Sequence, residues 1–380
     1  VVGNWIVNQF CHLPITYVGN LCDAAGFVDR LHLENQFSNK QITSKCFLFV
    51  SYVWETGTAL TIESLNTILS EIQNRYPAIN TILLLNSWFK YENYQFTNVR
   101  VVYIDYFLYR TYSEIHLYKK SSVNSLWSSN TDKFLFLTGK PDKIHRIRLL
   151  YKFYKNNLLG NCIWSLFRSQ TSTLQELLPE LTQNQLEEFL MEYQRNPDNI
   201  QTRSESNIHY GGIPYDTMLF DKTSFRVISE TTINNAKNPW ITEKTWITIL
   251  NSCPFIMAGD PTSLLKLKSM GFNTFEQYLI IKDYDNIVDS ENRLDAIVQN
   301  TTHWLSDIKN YTVDIQKDLD HNKNKFYDIA NANWQLLADL IEEVGISAQP
   351  TDILPTCETK FRGHTEWFFN ANLFLLGLNY

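Results

Sequence analysis

The chain has no paired cysteine motif. Its six cysteines, Cys11, Cys22, Cys46, Cys162, Cys253 and Cys357, are widely spaced and none forms a CxxC pair, which excludes a zinc ribbon and a dithiol redox centre. Cys46 and Cys253 lie inside apolar runs, the setting of buried free thiols and one that suits a reducing compartment. No segment approaches the ~18 uncharged apolar residues that a bilayer span requires. The opening Val1-Val2-Gly3-Asn4-Trp5 has neither a basic stretch nor an apolar one behind it, so no signal peptide is expected; with no initiating Met, it reads as a piece of a longer chain. The eight His residues form no HExxH or close pair, and neither a Gly-x-Ser-x-Gly elbow nor a P-loop spacing occurs. A zinc site is therefore not expected. Positive charge is also scarce. Lys and Arg number 33 against 40 Asp and Glu, for a net charge of −7, and the basic residues are scattered. A duplex-binding surface needs a basic face, so nucleic acid is disfavoured as a partner.

What is present describes a folded chain. It has 380 residues, 44% apolar and 19% charged, close to globular averages and far from disorder. At roughly 100–200 residues per domain, two domains with a further segment are expected. Aromatic residues reach 14%, which suits a protein that handles sugars.

The first third alternates strand-like and helix-like segments. Residues 45–53, 81–85 and 99–104 are apolar runs of strand length, and residues 60–75 place Leu60, Leu65, Ile68, Leu69 and Ile72 near a 3.6 period before Pro77. The polar stretch 121–132 reads as a linker. A second series follows: strand 133–137, a turn through Gly139, and a helix over 142–157 with an apolar stripe of Ile144, Ile147, Leu150, Tyr151, Tyr154 and Leu158. Strand 225–229, helix 242–252, strand 255–258 and helices 263–270 and 290–305 continue it. Residues 174–194 read as a separate acidic amphipathic helix and 195–222 as loop. The expected organisation is an α/β domain over 1–130, a second over 131–305 with an insertion at about 160–222, and C-terminal helices and tail over 306–380. Such buried parallel strands predict two Rossmann-like domains facing a cleft, with ligands outside the carboxyl ends of the strands.

Two strand–helix junctions carry the candidate chemistry. The first is Phe225-Arg226-Val227-Ile228-Ser229-Glu230-Thr231-Thr232, followed by Trp240-Ile241-Thr242-Glu243-Lys244-Thr245. It places Glu230 at the end of a strand, Thr242 at a helix N-cap, and Glu243 and Lys244 in the first turn. A cation there opposes the helix dipole, and an anion such as a diphosphate bound beside it resolves the conflict. Glu230 and Glu243 would then accept hydrogen bonds from ribose or sugar hydroxyls. The alternative is a capped helix with Glu243 favouring the dipole and Lys244 solvated. The second junction is Gly139-Lys140-Pro141-Asp142-Lys143-Ile144-His145-Arg146. Pro141 suits a first helical turn, and the Arg146 guanidinium suits a bidentate grip on phosphate, with His145 beside it. A solvated basic face is the alternative.

These junctions, with Pro254-Phe255-Ile256 and Gly259-Asp260-Pro261 after them, resemble the donor-binding half of the α-1,3-fucosyltransferase family and its viral and phage-type relatives. The likeness spans residues 133–300. It implies a GT-B fold, a GDP-sugar donor such as GDP-fucose and no metal. Arg146 and Lys244 would hold the diphosphate, Glu243 and Glu230 would contact hydroxyls, and Trp240 would take the place of a Tyr near the base. Thr231 stands where the family has Asn, and Trp240 lacks the phenol hydroxyl, so the base and sugar stay open. An inverting transfer also needs a carboxylate to take the acceptor proton. Glu55 after the 45–53 strand is the first candidate, Asp105 after the 99–104 strand the second, and Glu92 the third. The strings Asp283-Tyr284-Asp285 and Asp318-Leu319-Asp320 resemble metal–diphosphate motifs, but neither follows a central strand.

The chain is thus expected to be a glycosyltransferase moving a sugar from a nucleotide sugar to a hydroxyl of a glycan acceptor. It is expected in the cytoplasm, or a host cytoplasm if viral, as its Asn, Lys, Ile and Tyr usage suggests. A transferase acting on a modified DNA base and a catalytically silent sugar- or nucleotide-binding module are the alternatives.

Overall fold

The computed structural model describes residues 15–20, 47–52, 66–67, 69–70, 73–74, 80–86, 96, 99–105, 107–108 and 111–112, and then 127–138, 143–165, 178–179, 181–195, 217–234 and 239–343. The fold is mixed α/β, with parallel sheets and a helical C-terminal part. The chain forms two compact units, one of Val1–Tyr118 with Ala330–Tyr380 and the other of Lys119–Ile329.

The first unit holds a four-stranded parallel sheet in the order β1 (Ile15–Asn20), β2 (Phe47–Tyr52), β3 (Asn80–Asn86), β4 (Val99–Ile104). Three of these are the expected apolar runs, rich in the β-branched and aromatic residues that fit a pleated surface. Residues 66, 67, 69, 70, 73 and 74 are helical, within the expected 60–75 helix. The strands succeed one another in chain order, so the described part of this sheet contains no reversal.

The second unit is built differently. Its parallel strands are β5 (Phe134–Leu137), β6 (Cys162–Ser165), β7 (Phe225–Ser229) and β8 (Phe255–Ala258), in the spatial order β6-β5-β7-β8. The chain steps one way from β5 to β6 and then crosses back to lay β7 on the other side of β5. That reversal makes a switch point between β5 and β7, the place where the loops at the carboxyl ends of parallel strands diverge and leave room for a ligand. Strand β6 corrects the expected insertion at 160–222: only four residues long and preceded by a turn at Leu159–Asn161, it carries too little pattern to stand out.

Among the described residues, seven labelled helices accompany the strands: α1 (Ile144–Lys155), α2 (Gln183–Arg195), α3 (Thr217–Asp221), α4 (Glu243–Leu250), α5 (Ser263–Ser269), α6 (Ser290–Asp307) and α7 (Thr312–Glu343). Helix α3 lies in the stretch 195–222 expected to be loop. The core is aromatic. Phe134 stacks on Phe225 at 5.5 Å, and Phe153 and Trp304 meet that pair edge-on from α1 and α6. Each such ring removed from water stabilises the fold by about 1.5–3 kcal/mol. Helix α1 departs from the expected stripe. Ile144 is 42% exposed, whereas His145, Arg146, Ile147, Leu149, Leu150 and Phe153 are buried. The polar pair goes inside because a carbonyl awaits it there. Outside, Arg148 and Lys152 of α1 pair with Glu291 and Asp295 of α6.

The described part of the expected linker, residues 127–132, is anchored in the second unit. Trp127 Nε1 donates to Ser224 O at 2.6 Å, Thr131 Oγ1 meets Ser224 Oγ at 2.9 Å, and Ser129 Oγ meets Thr312 Oγ1 at 3.0 Å. Among the described residues no helix is long and apolar enough to cross a membrane. Asn300, in an Asn-Thr-Thr triplet, is buried, and its amide exchanges hydrogen bonds with the Ile281 backbone. Cys162 and Cys253 are free and buried, and burial pushes the Cys253 thiol up to about 12 and that of Cys162 well above its usual range. Only a thiolate attacks a disulfide reagent. Peptide mapping after native labelling should therefore find both residues unmodified until denaturant is added; fast native labelling of either would contradict their burial.

Candidate functional site

The candidate site is the carboxyl end of β7, beside the switch point. β7 and β8 are buried throughout. The Glu230 N–H continues their ladder by donating to Ala258 O at 2.9 Å, which fixes the strand end from which the site is built.

Glu230 is the centre of the arrangement and is 0% exposed. Its Oε1 accepts from Thr242 N at 3.1 Å and Thr245 Oγ1 at 2.6 Å, and its Oε2 accepts from Thr242 Oγ1 at 2.5 Å. Lys244 Nζ stands 3.8 Å from Oε2. A carboxylate so enclosed by the first turn of α4 is not available to a ribose or sugar hydroxyl, and the expected role of Glu230 is corrected accordingly. Thr242 does occupy the N-cap of α4, but its hydroxyl donates to Glu230 and makes no side-chain cap.

Lys244 sits in the first turn as expected, yet it is not solvated. Nζ donates to Thr242 Oγ1 at 3.0 Å, Thr231 Oγ1 at 3.4 Å and Glu243 Oε1 at 3.5 Å. The opposition between a cation and the helix dipole is thus offset by Glu230 and Glu243, and no bound anion is needed to explain the sequence. The side chains of Lys244 and Glu243 keep 13% and 16% exposure, so both reach solvent.

The other junction meets the same residue from α1. Arg146 NH2 donates to Glu230 O at 3.2 Å, and His145 Nε2 donates to the same carbonyl at 3.0 Å. Both side chains are buried, 4% and 5% exposed, so neither is the solvated basic face. Burial holds the His145 imidazole down at about 4, with Arg146, Lys143 and Lys244 adding to the depression and the Glu230 carbonyl opposing it. His145 is therefore neutral at pH 7 and adds no positive charge beside Arg146. Since its folded value lies below the usual 6.5, the stability tied to its neutral form is complete above pH 6.5 and lost as pH falls through 4. An NMR titration should show its ring signals flat from pH 8 to about 5; a midpoint near 6.5 would contradict the burial.

Two groups absent from the sequence expectations complete the site. Arg226 on β7 is 1% exposed and donates from NH1 to Thr248 Oγ1 at 2.9 Å and Lys244 O at 3.3 Å. Burial lowers its guanidinium to about 10, against the raising influence of Cys253, Glu230 and Glu243. Asp260, fully buried after β8, accepts from Thr232 Oγ1 at 2.5 Å and Trp240 N at 3.2 Å, holding both ends of the segment between β7 and α4. Their only sequence signal was a charge set in an apolar strand and an Asp in a Gly-Asp-Pro turn. Trp240 is 6% exposed, so its ring is packed inside rather than offered to a base.

Asp105 directly follows β4 and is partly buried. Glu55, Glu92 and Gly139 lie outside the described residues. The acidic strings serve structure. Asp285, raised to about 6 by burial, accepts from Leu264 N at the start of α5, and Asp318 accepts from Asn273, Gln277 and Tyr278. Among the described residues no group of three or more His, Cys, Asp or Glu is placed to hold a metal ion. Comparisons of the chain with family models, with curated proteins and with solved structures give no match.

Proposed function

We propose that the chain is a metal-independent, inverting glycosyltransferase of GT-B type, with the second unit binding a nucleoside-diphosphate sugar, a GDP-sugar such as GDP-fucose first among them. One observation supports this above the rest: Arg146 and Lys244, from two separate strand–helix junctions, converge on Glu230 beside the switch point. At that strand end Arg146 donates to the Glu230 carbonyl and Lys244 stands against the Glu230 and Glu243 carboxylates. In a site of low dielectric, two cations aimed at one strand end favour a diphosphate. Lys244, whose side chain keeps 13% exposure, would touch it, with the buried Arg146 behind.

In the proposed reaction an acceptor hydroxyl oxygen bonds to the anomeric carbon of the sugar as the bond to the diphosphate breaks. The nucleoside diphosphate leaves with the electron pair, and the acceptor proton passes to a carboxylate. Both units would be Rossmann-like, and the first would supply the glycan acceptor site and the base, Glu55 or Asp105. The cations and the α4 N-terminus do the work that a metal does in other transferases. A thermal-shift screen of GDP, UDP, dTDP and their sugars tests this, since a ligand of the folded state raises Tm. A rise with at least one nucleotide is expected, and so is transfer that persists in EDTA. No shift with any of them, or transfer that strictly needs a metal, would contradict the proposal.

A second reading is favoured by the way Lys244 is satisfied within the protein. A cation neutralised by Glu230 and Glu243 also suits a nucleotide-binding module without turnover. Binding with no transfer or hydrolysis of any nucleotide sugar would select it.

A further inference from the structure

We propose that Glu230 is a positioning residue that sets the two cationic arms of the site against each other, an inference that rests on the nucleotide-sugar reading above. Three parts of this one residue engage three elements. Its N–H is tied to β8, its carbonyl receives His145 and Arg146 of α1, and its carboxylate receives Thr242 and Thr245 at the start of α4 while facing Lys244. An ordinary helix cap needs one carboxylate–amide contact. Here an amide and two hydroxyls converge on the two oxygens, so the first turn of α4 is held in rotation as well as in position. Being 0% exposed, Glu230 acts on a ligand only through its neighbours.

The carboxylate and the carbonyl have separate consequences. Removing the carboxylate charge frees α4 to shift and releases Lys244 from one of its two anions, while the carbonyl contact to Arg146 survives. Gln at this position keeps the volume, but its NH2 can neither accept the hydroxyl proton that Oε2 takes from Thr242 nor attract the Lys244 ammonium. Thr245→Val, nearly isosteric, removes a single donor from Oε1.

The test is calorimetric titration of the full chain with GDP and UDP, for wild type, Glu230→Gln, Lys244→Ala and the double variant. Glu230→Gln should weaken nucleotide binding about tenfold, yet by less than about threefold when Lys244 is already Ala, because the two act as one unit. A merely structural role would reduce binding by the same factor in both backgrounds. If Glu230→Gln fails to fold, Thr245→Val reads the same non-additivity at smaller amplitude, about threefold alone and none with Lys244→Ala. If wild type binds neither GDP nor UDP, the nucleotide-sugar reading falls and this inference with it. If wild type binds and Lys244→Ala weakens it, but the Glu230 and Thr245 variants bind like wild type or act additively, the positioning role is overturned and the proposed function stands.

Discussion

Lys244→Ala should weaken nucleoside-diphosphate binding by roughly 10–100-fold, the equivalent of a charge-assisted hydrogen bond of about 1.5–3 kcal/mol. Lys244 is chosen over Arg146 because it retains access to solvent while Arg146 is 4% exposed. A phosphate oxygen would reach Nζ by displacing Thr231 or Glu243, its two longer contacts. Loss of the ammonium leaves Glu230 with its three hydrogen-bond donors and with Arg226 close by, so the fold should survive the change. Calorimetry beside a melting curve separates the two effects. A Kd within twofold of wild type would remove Lys244 from the site, whatever the chain binds elsewhere.

The largest loss of stability is expected from Arg226→Ala, about 3–5 kcal/mol. The side chain fills space between β7 and α4, with its guanidinium 5.7 Å over the Phe220 ring. Its removal takes the guanidinium donor from the Thr248 hydroxyl and from the Lys244 carbonyl, which keeps the Thr248 hydroxyl as a side-chain donor. It also removes one of the cations that, with Lys244, oppose Glu230 and Glu243, and a buried carboxylate with less balancing charge is costly. Arg226→Met, which restores much of the volume but no donor, should recover part of the loss, since long side chains stabilise through their stems as well as their charge. Urea unfolding measures both. A cost below about 1 kcal/mol for the Ala variant would mean that neither the charge nor the packing of Arg226 matters here.

Each sheet had three of its four strands legible in the sequence. Phe255–Ala258 is an uninterrupted apolar run and Phe225–Ser229 an apolar run carrying Arg226, both bounded by turn residues, and they fall where those boundaries put them. Strand β1, Ile-Thr-Tyr-Val-Gly-Asn, escaped because a Gly-Asn end reads as a turn, and β6 because four residues give no period. In the site, the positions of Glu230, Thr242, Glu243 and Lys244 could be read from local rules of strand ends and helix starts. Their partners could not. His145 and Arg146 look like surface residues on a helical wheel, since the carbonyl that draws them inside belongs to Glu230, a residue distant along the chain. The same holds for Glu230 itself: an acid at a strand end looks available to a ligand until the hydroxyls of Thr242 and Thr245 are seen to enclose it. Sequence pattern reports periodicity and termini, whereas saturation of a polar group depends on contacts between elements that no period encodes.

The most direct measurement is a crystal structure of the chain with GDP bound. It should place a phosphate oxygen within hydrogen-bond distance of Lys244 Nζ at the carboxyl end of β7, with the diphosphate on the side where α1 presents Arg146. A nucleotide bound elsewhere, with Lys244 still held by Thr242, Thr231 and Glu243 as it is without ligand, would contradict the account at its centre.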